Sequence, residues 1–440
     1  MLFQILTTIG TRLLVLFGAF IVSVLTARLL GPEGKGMITA ILVIPTLVVT
    51  IADLGIRQAA AYLIGKKLFN YNDIVSTLLF MWLISSSLSV AVVMGILLLQ
   101  YGGEYSWELL VICTLTVPVN LAIQYLRGIM QGKGNIGSIN KVEIIKTALN
   151  FIILLILVWA LGMGVLGAAL TQLLMAAFTL GYSMKLLLGE VKFKFKYIHP
   201  IPQQMMRQGF SFALALFIIQ LNYRVDVIIL ERFTNVIEVG IYSVGTNLAE
   251  LIWQLPAAIG LILFSRSASS SSSQAAVERT AKLIRVIMPV LLVFGVFFWF
   301  MSPLFIRLLY GADFAESGQV IRYLLPGIIA MVLFKLIHSD LSGRGAPLFS
   351  LRVSVIALIM NVVLNFILVP KYGAVGASIS SSISYMYAGV AFIIFYARRE
   401  SISLSRLLIL NKEDWAQIKS KIGSIGVRFM KLRKPLKGQG

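Results

Sequence analysis

The chain has 440 residues, of which 58% are hydrophobic and only 13% charged, and its mean hydropathy is +0.91. A soluble domain carries roughly 25% charged residues, so this composition excludes one and points to an integral membrane protein. The net charge of +20 comes with no nucleic-acid-binding motif; basic loops held on the cytoplasmic side of a membrane account for it, and no nucleic-acid partner is expected.

Twelve apolar runs are each long enough to cross ~30 Å of hydrocarbon as a helix. They lie at about 6–28, 37–63, 73–99, 106–131, 137–161, 164–188, 204–230, 236–264, 280–302, 317–342, 348–369 and 374–397. No basic segment precedes the first run, which is long enough to stay as an anchor, so no cleavable signal peptide is expected. Pro45, Pro118, Pro256, Pro289 and Pro326 fall inside runs and can kink them, although membrane helices also tolerate proline without consequence. With the N-terminus taken as cytoplasmic, the inner loops hold sixteen Lys and Arg against six in the outer loops. That bias places both termini of this multi-pass membrane protein in the cytoplasm.

The expected fold is all-α: a six-helix N-terminal lobe over 1–188, a cytoplasmic linker over 189–203, a six-helix C-terminal lobe over 204–400 and a tail over 401–440. Lys and aromatic residues alternate in the linker, as they would in a strap on anionic headgroups or simply in a basic loop. The serines at 269–273 read as a flexible connection. In the tail, Trp415, Ile418, Ile422, Ile425 and Phe429 share one helical stripe among many Lys and Arg, which fits a helix lying on the anionic inner leaflet; docking on a partner protein is the rival.

The halves repeat. Gly132-Lys133-Gly134 and Asn150 recur as Gly343-Arg344-Gly345 and Asn361, displaced by 211. Gly164-Val165-Leu166-Gly167-Ala168 recurs as Gly373-Ala374-Val375-Gly376-Ala377, and Arg28 and Gly36 recur as Arg232 and Gly240, displaced by 204. Duplicated hydrophobic units in a membrane chain suggest a transporter with its site between the copies.

Arg28-Leu29-Leu30-Gly31-Pro32-Glu33-Gly34-Lys35-Gly36 resembles the first-loop signature of bacterial polysaccharide flippases, as does Asp53-Leu54-Gly55-Ile56. Gly240-Ile241-Tyr242-Ser243, Leu309-Tyr310-Gly311-Ala312-Asp313-Phe314 and Asn361-Val362-Val363-Leu364-Asn365-Phe366 are similar to later parts of the same pattern. Over roughly 1–400 the chain thus resembles the Wzx-type (O-antigen/oligosaccharide) flippases of the multidrug/oligosaccharidyl-lipid/polysaccharide exporter (MOP) superfamily. Ile38 stands where the pattern usually has tyrosine, as Tyr242 does in the second half. The resemblance implies two pseudo-symmetric, MATE-like lobes around a cavity. It also implies transfer of an undecaprenyl pyrophosphate-linked oligosaccharide from the inner to the outer leaflet by alternating access. The two extra spans of peptidoglycan-precursor flippases are missing.

Charges inside spans mark the expected site, because an ion in hydrocarbon costs at least ~2.5–3.5 kcal/mol. The cations are Arg12, Arg57, Lys146, Arg224 and Lys335; the anions are Asp53, Glu143, Asp226 and Glu250, with Asp340 near an inner end. Asp53 and Arg57, and Glu143 and Lys146, are spaced to pair on one helix, whereas Arg224 and Asp226 point to different sides and Glu250 is a candidate partner for Arg224. Depth along the spans groups Arg12, Arg57, Lys146 and Lys335 in the cytoplasmic half, a cluster suited to a pyrophosphate, with Arg224 further along the path. Asp53, Glu143, Asp226 and Glu250 are coupling or structural partners, and H+ or Na+ coupling around Asp226 or Glu250 stays open. Tyr125, Tyr223, Tyr242, Trp253 and Tyr385 could stack on sugar faces or simply pack.

Cys113 is the only cysteine, and His199 and His338 are far apart, so disulfides are excluded and no metal site or cofactor is expected. Two other functions compete. A cation-coupled multidrug exporter would favour an acidic or neutral cavity, yet the first span holds Arg12 and no acid. A membrane glycan polymerase or ligase would need a nucleophile and base, which the chain does not offer, so it is expected not to be an enzyme. Its expected partners are the lipid-linked cargo and membrane lipids, and it is expected to act as a monomer.

Overall fold

The structure is a computed structural model and describes residues 2–187, 198–268, 272–346, 348–411 and 414. The Arg12 side chain, linker residues 189–197, serines 269–271 and the tail stripe at 415–429 lie outside the described residues.

Every regular element among the described residues is helical. The N-terminal half holds α1 (Leu2–Ala52), α2 (Ile56–Gly65), α3 (Tyr71–Tyr101), α4 (Trp107–Gly132), α5 (Ile136–Leu154) and α6 (Gly164–Leu187). The C-terminal half holds α7 (Ile201–Phe233), α8 (Val236–Glu250), α9 (Gln254–Ala268), α10 (Ser273–Leu309), α11 (Ser317–Gly343), α12 (Phe349–Arg399) and the short α13 (Leu404–Leu408). Among the described residues nine helices are long and apolar enough to cross a membrane, ten if the bent pair Val236–Trp253 and Pro256–Phe264 is one span.

The expected twelve separate runs meet two continuous elements of 51 residues, α1 and α12. At ~1.5 Å per residue each is ~75 Å long, more than twice the ~30 Å of hydrocarbon. Each bends at one glycine, Gly31 (φ 68, ψ -179) and Gly373 (φ 52, ψ -131). Local chemistry shortens these connections to a single residue. Pro32 follows Gly31 with the fixed φ and missing N–H of a helix start, and the Glu238 carboxylate accepts the Ala374 N–H at 2.7 Å, capping the second part of α12. Asp53-Leu54-Gly55 makes a different break: Leu54 and Gly55 are left-handed (φ 47 and 68), which separates α1 from α2.

The duplicated glycines share conformations. Gly164 and Gly373 have φ of 54 and 52, and Gly134 and Gly345 have φ of 71 and 80. Gly36 and Gly240, also a repeated pair, face each other: a Cβ on Gly36 would overlap the Val236 carbonyl, and one on Gly240 the Pro32 carbonyl. Within a membrane, where lipid is as apolar as leucine, such backbone contact is what small residues provide. Around it Ala40, Val43 and Leu47 of α1 pack on Val227 and Leu230 of α7, Val239 of α8 and Ala377 of α12.

The tail begins attached rather than free. Asp414 is buried against Arg285 of α10, with Nε 2.6 Å from the carboxylate, and Arg406 of α13 lies 3.0 Å from Glu278.

Candidate functional site

Two cavities lie along the bundle. The larger, about 1430 Å³, reaches the turn at Gly345, hereafter the basic face. Arg57 of α2, Lys335 of α11, Arg352 and Arg399 of α12, Gln58, Tyr223 and His338 line it, and no Asp or Glu is among its described lining residues. The smaller, about 430 Å³, lies nearer the opposite face, where Gly36 and Gly240 meet. Its polar lining includes Lys35, Thr39, Asn150, Gln172, Glu250 and Gln254.

A layer of charged and aromatic side chains separates them. Lys335 Nζ donates to Tyr223 Oη at 3.0 Å and lies over the Trp253 ring at 4.2 Å. Tyr223, Trp253 and Tyr385 pack with ring centroids 5.1–5.8 Å apart. Arg224 stands 3.9 Å from Glu250, the cross-helix approach that their spacing suggested.

The opposite face is shut by side chains that cross between the halves. Arg28 of α1 donates to the Leu308 and Leu309 carbonyls at the end of α10, both at 2.6 Å. Tyr101 of α3 donates to Glu231 of α7, and Gln100 lies 3.3 Å from the same carboxylate. A cation on the C-terminal carbonyls of α10 also complements that helix's dipole.

Not every expected charge joins the cavity. Arg57 and Lys335 do; Lys146 does not, standing on α5 in the field of Arg127. The expected Glu143–Lys146 pair is corrected: Glu143 is bonded by Arg127 of α4, because a guanidinium on the facing helix reaches it directly. The expected Asp53–Arg57 pair makes no ion-pair contact among the described residues, because the bend at Leu54–Gly55 interrupts the helix on which their spacing would align them; Asp53 nevertheless lies in the field of the Arg57 charge. Asp226 turns away from both cavities. It is fully buried and accepts from Tyr242 Oη and Asn365 Nδ2, each at 2.7 Å, and from Ser381 Oγ, with Asn361 bonded to Ser381 and Ser384. Of the aromatic candidates only Tyr223 lines the large cavity; Tyr125, Tyr242 and Tyr385 are buried.

Sequence reasoning missed Arg352, which reads as a loop charge, and Arg399, which sits past the end of the last apolar run, together with the amides of the smaller cavity. Asn150 is visible as a repeat marker but carries no chemical signal.

A polytopic helical bundle with an interior cavity open toward one face and closed on the other has the architecture of a membrane transporter. The fold is shared with the lipid II flippase MurJ in an inward closed conformation: TM-score 0.71, 15% identity, 92% of this chain and 89% of that one. It is shared likewise with an inward-facing multidrug resistance MATE family transporter of the MOP superfamily, at TM-score 0.65 and 17% identity over 90% of this chain and 94% of that one. The chain belongs to the polysaccharide biosynthesis protein family, whose profile matches residues 2–264. It is 23% identical over 383 residues to the probable low-salt glycan biosynthesis flippase Agl15 of Haloferax volcanii, covering 82% of this chain and 75% of that protein.

Proposed function

We propose that the protein is a flippase that moves a polyprenyl pyrophosphate-linked oligosaccharide, with undecaprenyl as the expected carrier, from the cytoplasmic to the outer leaflet of a bacterial inner membrane. The observation that carries this reading is the wholly cationic charge of the 1430 Å³ cavity, supplied by Arg57, Lys335, Arg352 and Arg399. An organic cation would be repelled there, whereas phosphate oxygens gain forked bonds from Arg and a point charge from Lys. The family and the glycan-flippase relative support the same cargo class. Lys and Arg are concentrated in the loops of the basic face, which supports a cytoplasmic orientation for it and for both termini.

Arg57 and Lys335 receive the pyrophosphate, and Arg224 takes part once its bond to Glu250 loosens. Closing the basic face and opening the Arg28 and Tyr101 contacts then exposes the cargo to the other leaflet. An inside-negative potential favours outward passage of each negative charge by ~2.3 kcal/mol per 100 mV, so coupling is not required. Should coupling occur, Asp226 is its place, a buried carboxylate held only by neutral donors. The protein acts as a monomer in this scheme.

Glutamine in place of Arg57 or Lys335 tests the proposal. Each charge-assisted bond is worth ~1.5–3 kcal/mol, so each variant should flip lipid-linked sugar ~10- to 100-fold more slowly while remaining folded in the membrane. Arg57→Lys should recover part of the loss. Wild-type rates in both glutamine variants would overturn the cationic path.

A further inference from the structure

The repeat relates the smaller cavity to the buried Asp226 cluster, position by position. The displacement of 204 that carries Gly36 to Gly240 also carries Val22 to Asp226 and Ile38 to Tyr242. The displacement of 211 that carries Asn150 to Asn361 also carries Leu154 to Asn365, and the register of Gly164 with Gly373 carries Gln172 to Ser381. Val22, Ile38, Asn150, Leu154 and Gln172 all line the 430 Å³ cavity, and their counterparts make the packed cluster around Asp226. One copy of the site is therefore filled by its own side chains. In the other, valine, isoleucine and leucine stand where the C-terminal half has aspartate, tyrosine and asparagine, and the space remains open.

What lines that space is chemically specific. Its uncharged polar groups are amides and hydroxyls, among them Thr39, Asn150, Gln172 and Gln254, and Tyr310 lies at its edge. Lys35 and Glu250 balance each other in charge. Gln172 and Gln254 are exposed into it, and Asn150 borders it half-buried, its Oδ1 atom shielded and without a hydrogen bond within the protein. An amide-rich chamber with two aromatic rings in its lining, Phe20 and Tyr310, matches a polyhydroxylated ring: amides donate and accept at hydroxyls, and aromatic rings pack on C–H faces. Its volume is within the ~300–1,000 Å³ usual for small-ligand sites.

Resting on the flippase reading, we infer that this chamber is the sugar compartment. It takes the saccharide portion of the cargo while the pyrophosphate stays among Arg57 and Lys335, with the aromatic layer of Tyr223 and Trp253 between them. Asn150, Gln172 and Gln254 then set which sugars pass.

Thiol protection on the full-length protein tests this. In a Cys113→Ala background, cysteine is placed at Ala19 in the chamber or at Ser342 in the large cavity and treated with a small methanethiosulfonate. The probes are the polyprenyl pyrophosphate glycolipid fraction of the source cells and the same fraction after mild acid, which cleaves the sugar from its pyrophosphate, with the released water-soluble saccharide washed away. The intact fraction should slow labelling at both positions by 5-fold or more, and the hydrolysed fraction should slow it at Ser342 alone. Gln172→Leu should weaken protection by the intact fraction about 10-fold and leave that by the hydrolysed fraction unchanged. Equal protection of Ala19 by both fractions, no protection there, or a cysteine at Ala19 that never reacts would overturn the sugar compartment while protection at Ser342 upholds the flippase. Loss of protection at Ser342 as well would overturn the flippase reading itself.

Discussion

In the C-terminal half, Asn361, Asn365 and Ser381 are shielded from solvent and bonded to one another or to Asp226. In the N-terminal half, the equivalent Asn150 and Gln172 face open space, and Val22, Ile38 and Leu154 supply no polar atoms. The halves share local backbone features, among them the left-handed glycines at 164 and 373. The difference shows how a duplicated scaffold divides labour. A half whose polar groups bond one another, all but the Asn365 Oδ1 atom, is rigid, since breaking the network leaves several buried donors unpaired. A half that leaves them facing a cavity keeps them available to a ligand. The asymmetry of the proposed cargo, with sugar at one end and lipid at the other, would give such a division a use.

The largest effect expected from that difference is on stability. Asp226→Ala removes the acceptor that Tyr242, Asn365 and Ser381 share; Asn365 keeps Asn361, but each buried donor left unsatisfied costs ~1–3 kcal/mol, so the variant should lose several kcal/mol and most of its folded yield. Asn150→Ala, at a repeat-related site, faces a cavity and should change stability by less than ~0.5 kcal/mol. Thermal unfolding of the purified variants, followed by size exclusion, checks both. Matching midpoints for the two would mean that the packed and open sites are not energetically distinct.

A second variant sharpens the comparison by making the halves alike. Ile38→Tyr restores the residue that Tyr242 provides in the other half and places a phenol in the wall of the chamber. The fold should tolerate it, because there is room, but the space for a sugar shrinks. Transport of the lipid-linked sugar should fall about 10-fold with near-normal protein abundance, while Ile38→Val should transport normally. Unchanged flipping in Ile38→Tyr would show that the chamber's free volume is not used.

Much of the framework is legible in the amino-acid sequence. Apolar runs mark the helices, since each must satisfy its backbone internally in lipid, and repeated glycines mark backbone positions that a side chain would disturb. Arg224 and Glu250 can be matched because a charge in a span needs a partner. Partners chosen by packing are not legible: Glu143 has Lys146 three residues away, yet Arg127 on another helix reaches it. The length of the connection at Gly31 is not legible either, since a single residue with one unusual dihedral pair replaces a loop. The chamber is hidden for a third reason. Neutral amides in a membrane helix carry no signature that separates a ligand-facing asparagine from a packed one, and Asn150 and Asn361 show both outcomes at repeat-related positions.

The smallest effect concerns a carboxylate that solves burial in the other way. Asp226 has neutral donors; Asp414, at the start of the tail, has Arg285, which also bonds the Arg406 carbonyl. Burial pushes the Asp414 carboxyl up, but the Arg285 hydrogen bond, the Asn411 backbone N–H and the Arg285 charge outweigh it, so its pKa lies below the usual carboxylate value. A depressed folded-state pKa means that the contact stabilises the attached tail above the unfolded value of ~3.9 and is lost as pH falls through the folded value. Arg285 keeps its charge throughout, so Asp414 alone sets the window. The tail segment containing α13 should therefore stay docked at neutral pH and release only in acid, below pH ~4. Release should be confined to this segment, which the Asp414–Arg285 contact ties to α10. Hydrogen exchange of residues 401–411 as a function of pH measures it. Asp414→Asn should raise exchange there at pH 7 to the level of the wild type in acid, with no change in α11. Exchange in the wild type that is flat from pH 7 to 3 would show that apolar packing of Leu407, rather than the ion pair, holds the tail to α10.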